Sequence, residues 1–105
     1  MSDEGGEAVD FAYLEGFAAG DRRVVKEVLA LFRQSVDAWT PSLSAEAADW
    51  RDVVHTIKGA GLGIGARRLG ELCARAEAEG PESLPQVRQA LAEAAAAIDA
   101  YVTRA

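Results

Sequence analysis

The sequence contains one histidine, His55, followed at three residues by Lys58 and then by four glycines at alternating positions, Gly59, Gly61, Gly63 and Gly65. An imidazole titrates at about 6.5 when unperturbed, so near neutral pH it offers a lone pair without needing a dedicated base. A neighbouring ammonium can hold an anion. At about 100° per residue on a helix, Arg51, His55, Lys58, Gly59 and Leu62 fall on one strip, displaced from the apolar line Trp50, Val54, Ile57 and Gly61. The strip therefore presents a nucleophilic nitrogen, a cation one turn on, a position with no side chain, and a half-exposed leucine.

Glycine inside a helix costs about 1 kcal/mol relative to alanine, so Gly59 and Gly61 together cost about 2 kcal/mol in a chain otherwise rich in alanine. Gly61 lies on the buried line, where close packing explains it, and Gly65 suits a left-handed C-terminal cap. Gly59 is on neither, and its bare backbone offers a place where another surface could approach closely. A lone surface His beside a Lys is common, and Lys58 or Leu62 taken singly reads as an ordinary helix residue. Arg51 has no acid at helical neighbour spacing, and its role stays open at this point.

Other chemistries are poorly supplied. One Cys and one His cannot build an intrachain disulfide or a four-ligand zinc site. No Ser or Cys has a second His as its base, and no phosphate-binding loop of the G-x-x-x-x-G-K-[ST] type occurs. Residues 61–66 fit the G-x-G-x-x-A dinucleotide pattern, but no second strand follows and nothing before Asp52 reads as strand, so the context fails. Cys73 falls on an apolar stripe and is expected to be a small buried hydrophobe.

The chain has 105 residues and a mass of 11.1 kDa, enough for one domain. Half of the residues are apolar and 22 are alanine, while Ile, Thr and Tyr are scarce, which points to an all-α protein. A net charge of −6 would repel a nucleic-acid backbone or an anionic lipid surface, so neither is an expected partner. No apolar run approaches the roughly 20 residues of a spanning helix. The start Met1-Ser2-Asp3-Glu4-Gly5-Gly6-Glu7 lacks the features of a signal peptide, and a cytoplasmic location is expected.

Residues 1–8 read as a flexible lead and 9–105 as the domain. Phe11, Leu14 and Phe17 or Ala18 mark a short capping helix. Asp21 can cap a second helix striped by Val25, Val28 or Leu29, Phe32, Val36 and Trp39, which Thr40-Pro41 stops. Ser42 or Ser44 then reopens a third helix through Ala47, Trp50, Val54, Ile57 and Gly61 toward Ile64, about 30 Å if helical throughout. A fourth carries Leu69, Leu72, Cys73 and Ala76 and ends at Gly80-Pro81. Ser83 can start a fifth with Leu84, Val87, Leu91, Ala94 or Ala95, Ile98 and Val102. Four amphipathic helices with short links predict an antiparallel up-and-down four-helix bundle with a short N-terminal capping helix. The visible stripes are used up by one bundle, so a monomer is expected.

The run His55-Thr56-Ile57-Lys58-Gly59-Ala60-Gly61-Leu62-Gly63-Ile64-Gly65-Ala66 resembles the H-x-[LI]-K-G-x-x-x-x-[LI]-G-A signature of histidine phosphotransfer (HPt) domains. Residues 67–77 resemble that family's next helix, and the helix pattern extends the likeness from about Phe11 to the C-terminus. The resemblance implies a phosphocarrier in a multistep two-component phosphorelay, without an ATP site or autonomous turnover. His55 would be the phosphoacceptor, Lys58 the phosphate-stabilising cation, and Gly59, with Leu62 and Arg51, the docking surface for a receiver. Partners would be response-regulator receiver domains and a hybrid or sensor histidine kinase. Mg²⁺ would come from the receiver, the chain having no metal site or cofactor of its own. Many members add a Gln on the next helix that supports the imidazole or phosphate; none occurs between Gln34 and Gln86, and Arg75 or Glu79 is expected nearby instead. The competing reading is a non-catalytic helical adaptor that binds a signalling partner through the strip from His55 to Leu62.

Overall fold

The structure is a computed structural model that describes residues 8–104. The lead expected over 1–8 lies outside the described residues except for Ala8. Those residues form five α-helices and no strand: α1 (Phe11–Phe17), α2 (Arg22–Trp39), α3 (Trp50–Gly63), α4 (Arg67–Glu79) and α5 (Leu84–Arg104). Each of the four longer helices packs on its sequence neighbour, and α5 closes back on α2. This is the expected antiparallel up-and-down bundle, with α1 as its cap.

The second helix begins where the sequence indicates, because the Asp21 carboxylate accepts from the backbone N–H groups of Arg23 and Val24. Of the alternatives on its stripe, Leu29 is buried and Val28 exposed. The third helix departs from expectation: it opens at Trp50 rather than at Ser42 or Ser44, giving 14 residues and about 21 Å. Two local causes account for this. The Ser44 hydroxyl accepts from the Glu46 backbone N–H, a turn that competes with helix, and Leu43 is fully buried, drawing the loop into the core. After Gly80 a single 3₁₀ turn, Pro81–Ser83, leads into α5. Val102, placed on the fifth stripe, is 40% exposed, so burial on α5 ends near Ile98 and Tyr101.

Val25, Leu29 and Phe32 from α2, Val54 and Ile57 from α3, Leu69 and Cys73 from α4, and Val87, Leu91 and Ile98 from α5 fill the core. Cys73 is a free, fully buried thiol, as expected, and burial pushes its pKa up to about 12, with the nearby Glu77 charge adding to the rise. It is inert packing. The Phe11 ring stacks on Tyr101 of α5 at 4.3 Å, and the Asp10 N–H donates to the Gly65 carbonyl at 3.0 Å. These contacts fasten α1 across the end of the bundle where α3 stops and α5 finishes.

Gly65 occupies the left-handed region with φ +81°, and a Cβ there would lie 3.0 Å from both Cβ and O of Asp10. The helix end and the docking of α1 thus both require a glycine. Gly65→Ala is expected to cost about 2 kcal/mol or more, from left-handed strain plus the forced shift of the Asp10 segment. A urea midpoint that falls with unchanged slope checks this; an unaltered midpoint contradicts it.

Candidate functional site

His55 lies near the middle of α3, on the strip the sequence indicates, and its side chain is 71% exposed. Nδ1 is 2.8 Å from Oε2 of Glu77, on α4. An ionised carboxylate can only accept, so Nδ1 must carry a proton, and in the neutral ring this leaves the lone pair on Nε2. The other carboxylate oxygen, Oε1, accepts from the Lys58 ammonium at 2.5 Å. One carboxylate is therefore shared by the imidazole and the cation of the neighbouring helix. The Lys58 ammonium, more than any other group, holds the Glu77 carboxyl below the usual range; partial burial opposes this and the His55 bond assists it. Glu77 is thus ionised at neutral pH.

Arg51 begins the same strip, but its guanidinium turns toward α4. It stacks 4.6 Å above the Trp50 ring and donates through Nη1 to the backbone carbonyl of Glu77 at 2.6 Å. Gly59 is exposed, and a Cβ built there would meet nothing within 4 Å. Gly63, a turn further on, is equally open, whereas a Cβ on Gly61 would lie 3.2 Å from Leu69. Leu62 is 46% exposed and lies over Gly70 of α4, where a Cβ would come within 2.5 Å of it. The site thus gathers His55, Lys58, Gly59 and Leu62 on one face.

Glu77 and Gly70 are the members that sequence reasoning missed. Arg75 and Glu79, expected beside the imidazole, are exposed on the far flank of α4. The signal was the line Gly70, Cys73, Glu77: at steps of three and four it is one flank of the α4 stripe, the flank that packs against α3. Among the described residues no group of three or more His, Cys, Asp and Glu side chains could hold a metal, and no helix is long and apolar enough to cross a membrane.

An exposed imidazole, a cation beside it and open backbone one turn away thus share one face of a four-helix bundle. The family model of the Hpt domain matches residues 25–101, and the chain belongs to that family. Its place is accordingly in the phosphorelays of two-component systems, where Hpt proteins carry a phosphoryl group rather than act as kinases and work with receiver domains and histidine kinases. Among solved structures, the histidine phosphotransferase ShpA from Caulobacter crescentus is 54% identical, with a TM-score of 0.85 over 93% of each chain. A search of the curated proteins finds no match.

Because the folded pKa of Glu77 is depressed, its ion pairing contributes to folding above the ordinary carboxyl value of 4.5 and is lost as pH falls through the lower folded value. Carbon-detected NMR of the Glu77 carboxyl should give a midpoint below 4.5, and Lys58→Met should move that midpoint upward. A midpoint at or above 4.5 in the native sequence contradicts the shared-carboxylate geometry.

Proposed function

We propose that His55 is the phosphoacceptor of this Hpt protein, taking a phosphoryl group from an aspartyl phosphate on one receiver and giving it to an aspartate on another. The observation that carries this reading is the hydrogen bond from Nδ1 to Glu77, which leaves Nε2 of an exposed ring as the free nucleophile. In the forward step the Nε2 lone pair attacks phosphorus. The N–P bond forms while the P–O bond to the donor aspartate breaks, and the carboxylate leaves with the electron pair. The Nδ1 proton remains on the ring, held against Glu77, so no base removes it. In the return step an aspartate oxygen attacks phosphorus and the N–P electrons go back to Nε2.

Such transfer is governed mainly by positioning and charge neutralisation, which suits a site this sparse. Lys58 sits where it can turn from Glu77 toward the phosphoryl oxygens. Mg²⁺ belongs to the receiver in this scheme, and the chain brings no cofactor, ATP site or turnover of its own. It would act as a cytoplasmic monomer.

The receiver would dock over the bare backbone of Gly59 and the side chain of Leu62, with Arg51 at the edge. Val24, Val28 and Leu31 support that placement. They are exposed on the flank of α2 opposite the Arg33–Asp99 ion pair to α5, which is the flank bordering α3.

His55→Gln should keep the helical fold and take no acid-labile label from a phosphorylated receiver with Mg²⁺; label at wild-type level in this variant overturns the assignment. Gly59→Gln separates docking from folding, because the fold leaves room for a side chain there. That variant should be more stable by about 0.5–1 kcal/mol. Its affinity for a receiver should nevertheless fall at least about tenfold, or about 1.4 kcal/mol. Unchanged affinity by titration calorimetry would remove the clearance role.

A further inference from the structure

Glu77 lies in the last turn of α4, and the residue four positions on, whose N–H would normally bond its carbonyl, is Pro81. Proline has no N–H. The preceding carbonyl, that of Ala76, is satisfied by the Gly80 N–H at 2.9 Å, and there the helical ladder ends. The Glu77 carbonyl is an orphan of the helix terminus, of the kind that must find a side chain or water. Arg51 supplies the donor from across the helix pair, at 2.6 Å, with its guanidinium plane resting on Trp50 at 4.6 Å. A cation at this position also meets the negative end of the α4 dipole.

From this geometry we infer that Arg51 is a positioning residue for phosphoryl acceptance: it pins the Glu77 backbone so that the same residue's carboxylate stays on Nδ1 of His55 and on Lys58. The role rests on the reading of His55 as the acceptor. A glutamate side chain has three rotatable bonds, and a frayed helix end adds backbone freedom beneath it. A bond to a solvent-exposed ring would be lost for part of the time if both were free. Fixing the peptide removes one source of that freedom. Arginine suits the task because its planar fork can stack on the indole and donate a hydrogen bond at once, which an ammonium cannot do. The assignment also gives Arg51 a partner that its own helix lacks, since no acid stands three or four residues from it there.

The single histidine makes the test direct, since its two ring nitrogens are the only imidazole signals in a ¹⁵N spectrum. At a pH where the ring is neutral, the native sequence should show the Nδ1–H tautomer as the dominant form. Arg51→Ala should retain the helical circular dichroism spectrum but shift both nitrogens toward a tautomer mixture. Arg51→Lys should fall between, keeping a donor without the stack. In a Glu77→Ala background, Arg51→Ala should produce no further shift, as expected when one residue acts through the other. Acceptance of phosphoryl from a receiver should slow on the order of tenfold in Arg51→Ala, less than the roughly hundredfold that an ångström of misplacement can cost.

Nitrogen shifts in Arg51→Ala identical to those of the native chain overturn the inference. If transfer alone slows, Arg51 is a docking contact and not a positioning one. A further shift in the Glu77→Ala background overturns it as well, because Arg51 would then act on the ring directly. A native chain that takes no label from any receiver sinks the phosphoacceptor reading, while the nitrogen shifts still decide whether Arg51 sets the imidazole.

Discussion

The close approach of α3 to α4 is the constraint on which the site depends. One carboxylate can serve both an imidazole and an ammonium on the neighbouring helix only if the two backbones run near each other, and small residues at the seam permit this. Gly61 faces Leu69 from one side, and Gly70 receives Leu62 from the other. Both are buried, as are Ala66 just before α4 and Ala76 within it. A larger residue at Gly70 would meet Leu62 at once, so the separation of the helices and the resting place of a site leucine are set by the same position. The core at this seam is thus part of the chemistry.

The shared carboxylate also has an electrostatic cost for a phosphocarrier, since a phosphoryl group on Nε2 would place more negative charge near Glu77. Two unit charges about 4 Å apart interact by about 1 kcal/mol in water and about 4 kcal/mol at the effective dielectric of a protein surface. The imidazole of His55 is largely in solvent, which keeps the repulsion toward the lower figure. Lys58 offsets what remains, because its ammonium is already within reach of Glu77 and is itself partly exposed. The arrangement gains a fixed tautomer from the carboxylate and a charge balance from the lysine. Either residue alone would leave the ring worse placed: Glu77 without Lys58 repels the incoming group, and Lys58 without Glu77 leaves Nδ1 without its acceptor.

Much of this was legible in the sequence, and the reasons differ by element. The bundle followed from four apolar stripes and short links, and the exposure of His55 from its angular offset to Val54 and Ile57. Both depend only on helical periodicity, which tertiary packing did not override. The start of α3 was not legible in this way. A serine-made turn and a single buried loop residue, Leu43, outweighed the helix signals after Pro41, and periodicity does not register isolated loop anchors. Glu77 was missed for a different reason. Arg75, Glu77 and Glu79 are all polar residues beside one apolar stripe, and choosing among them requires knowing which flank of α4 faces α3. That handedness is a property of the bundle. The same applies to Arg51, whose partner is a backbone carbonyl that no residue type announces, except through the proline four places on.

The glycines of α3 and α4 show how fold and function can be told apart by packing. Gly65 needs its left-handed backbone, while Gly61 and Gly70 are pressed by leucines, so the fold itself accounts for all three. Gly59 has ordinary helical geometry and open space where a Cβ would go, and it sits one turn from the imidazole in the middle of a helix. Nothing inside the molecule compensates for the roughly 1 kcal/mol that glycine costs there. Against a total stability of about 5–15 kcal/mol for a typical domain, that is a sizeable fraction to leave unrecovered. A position that weakens the isolated protein and contacts nothing within it fits the docking role proposed for it. In the proposed transfer, the surface over Gly59 is where the receiver would come within backbone distance of α3 for Nε2 to meet phosphorus in line.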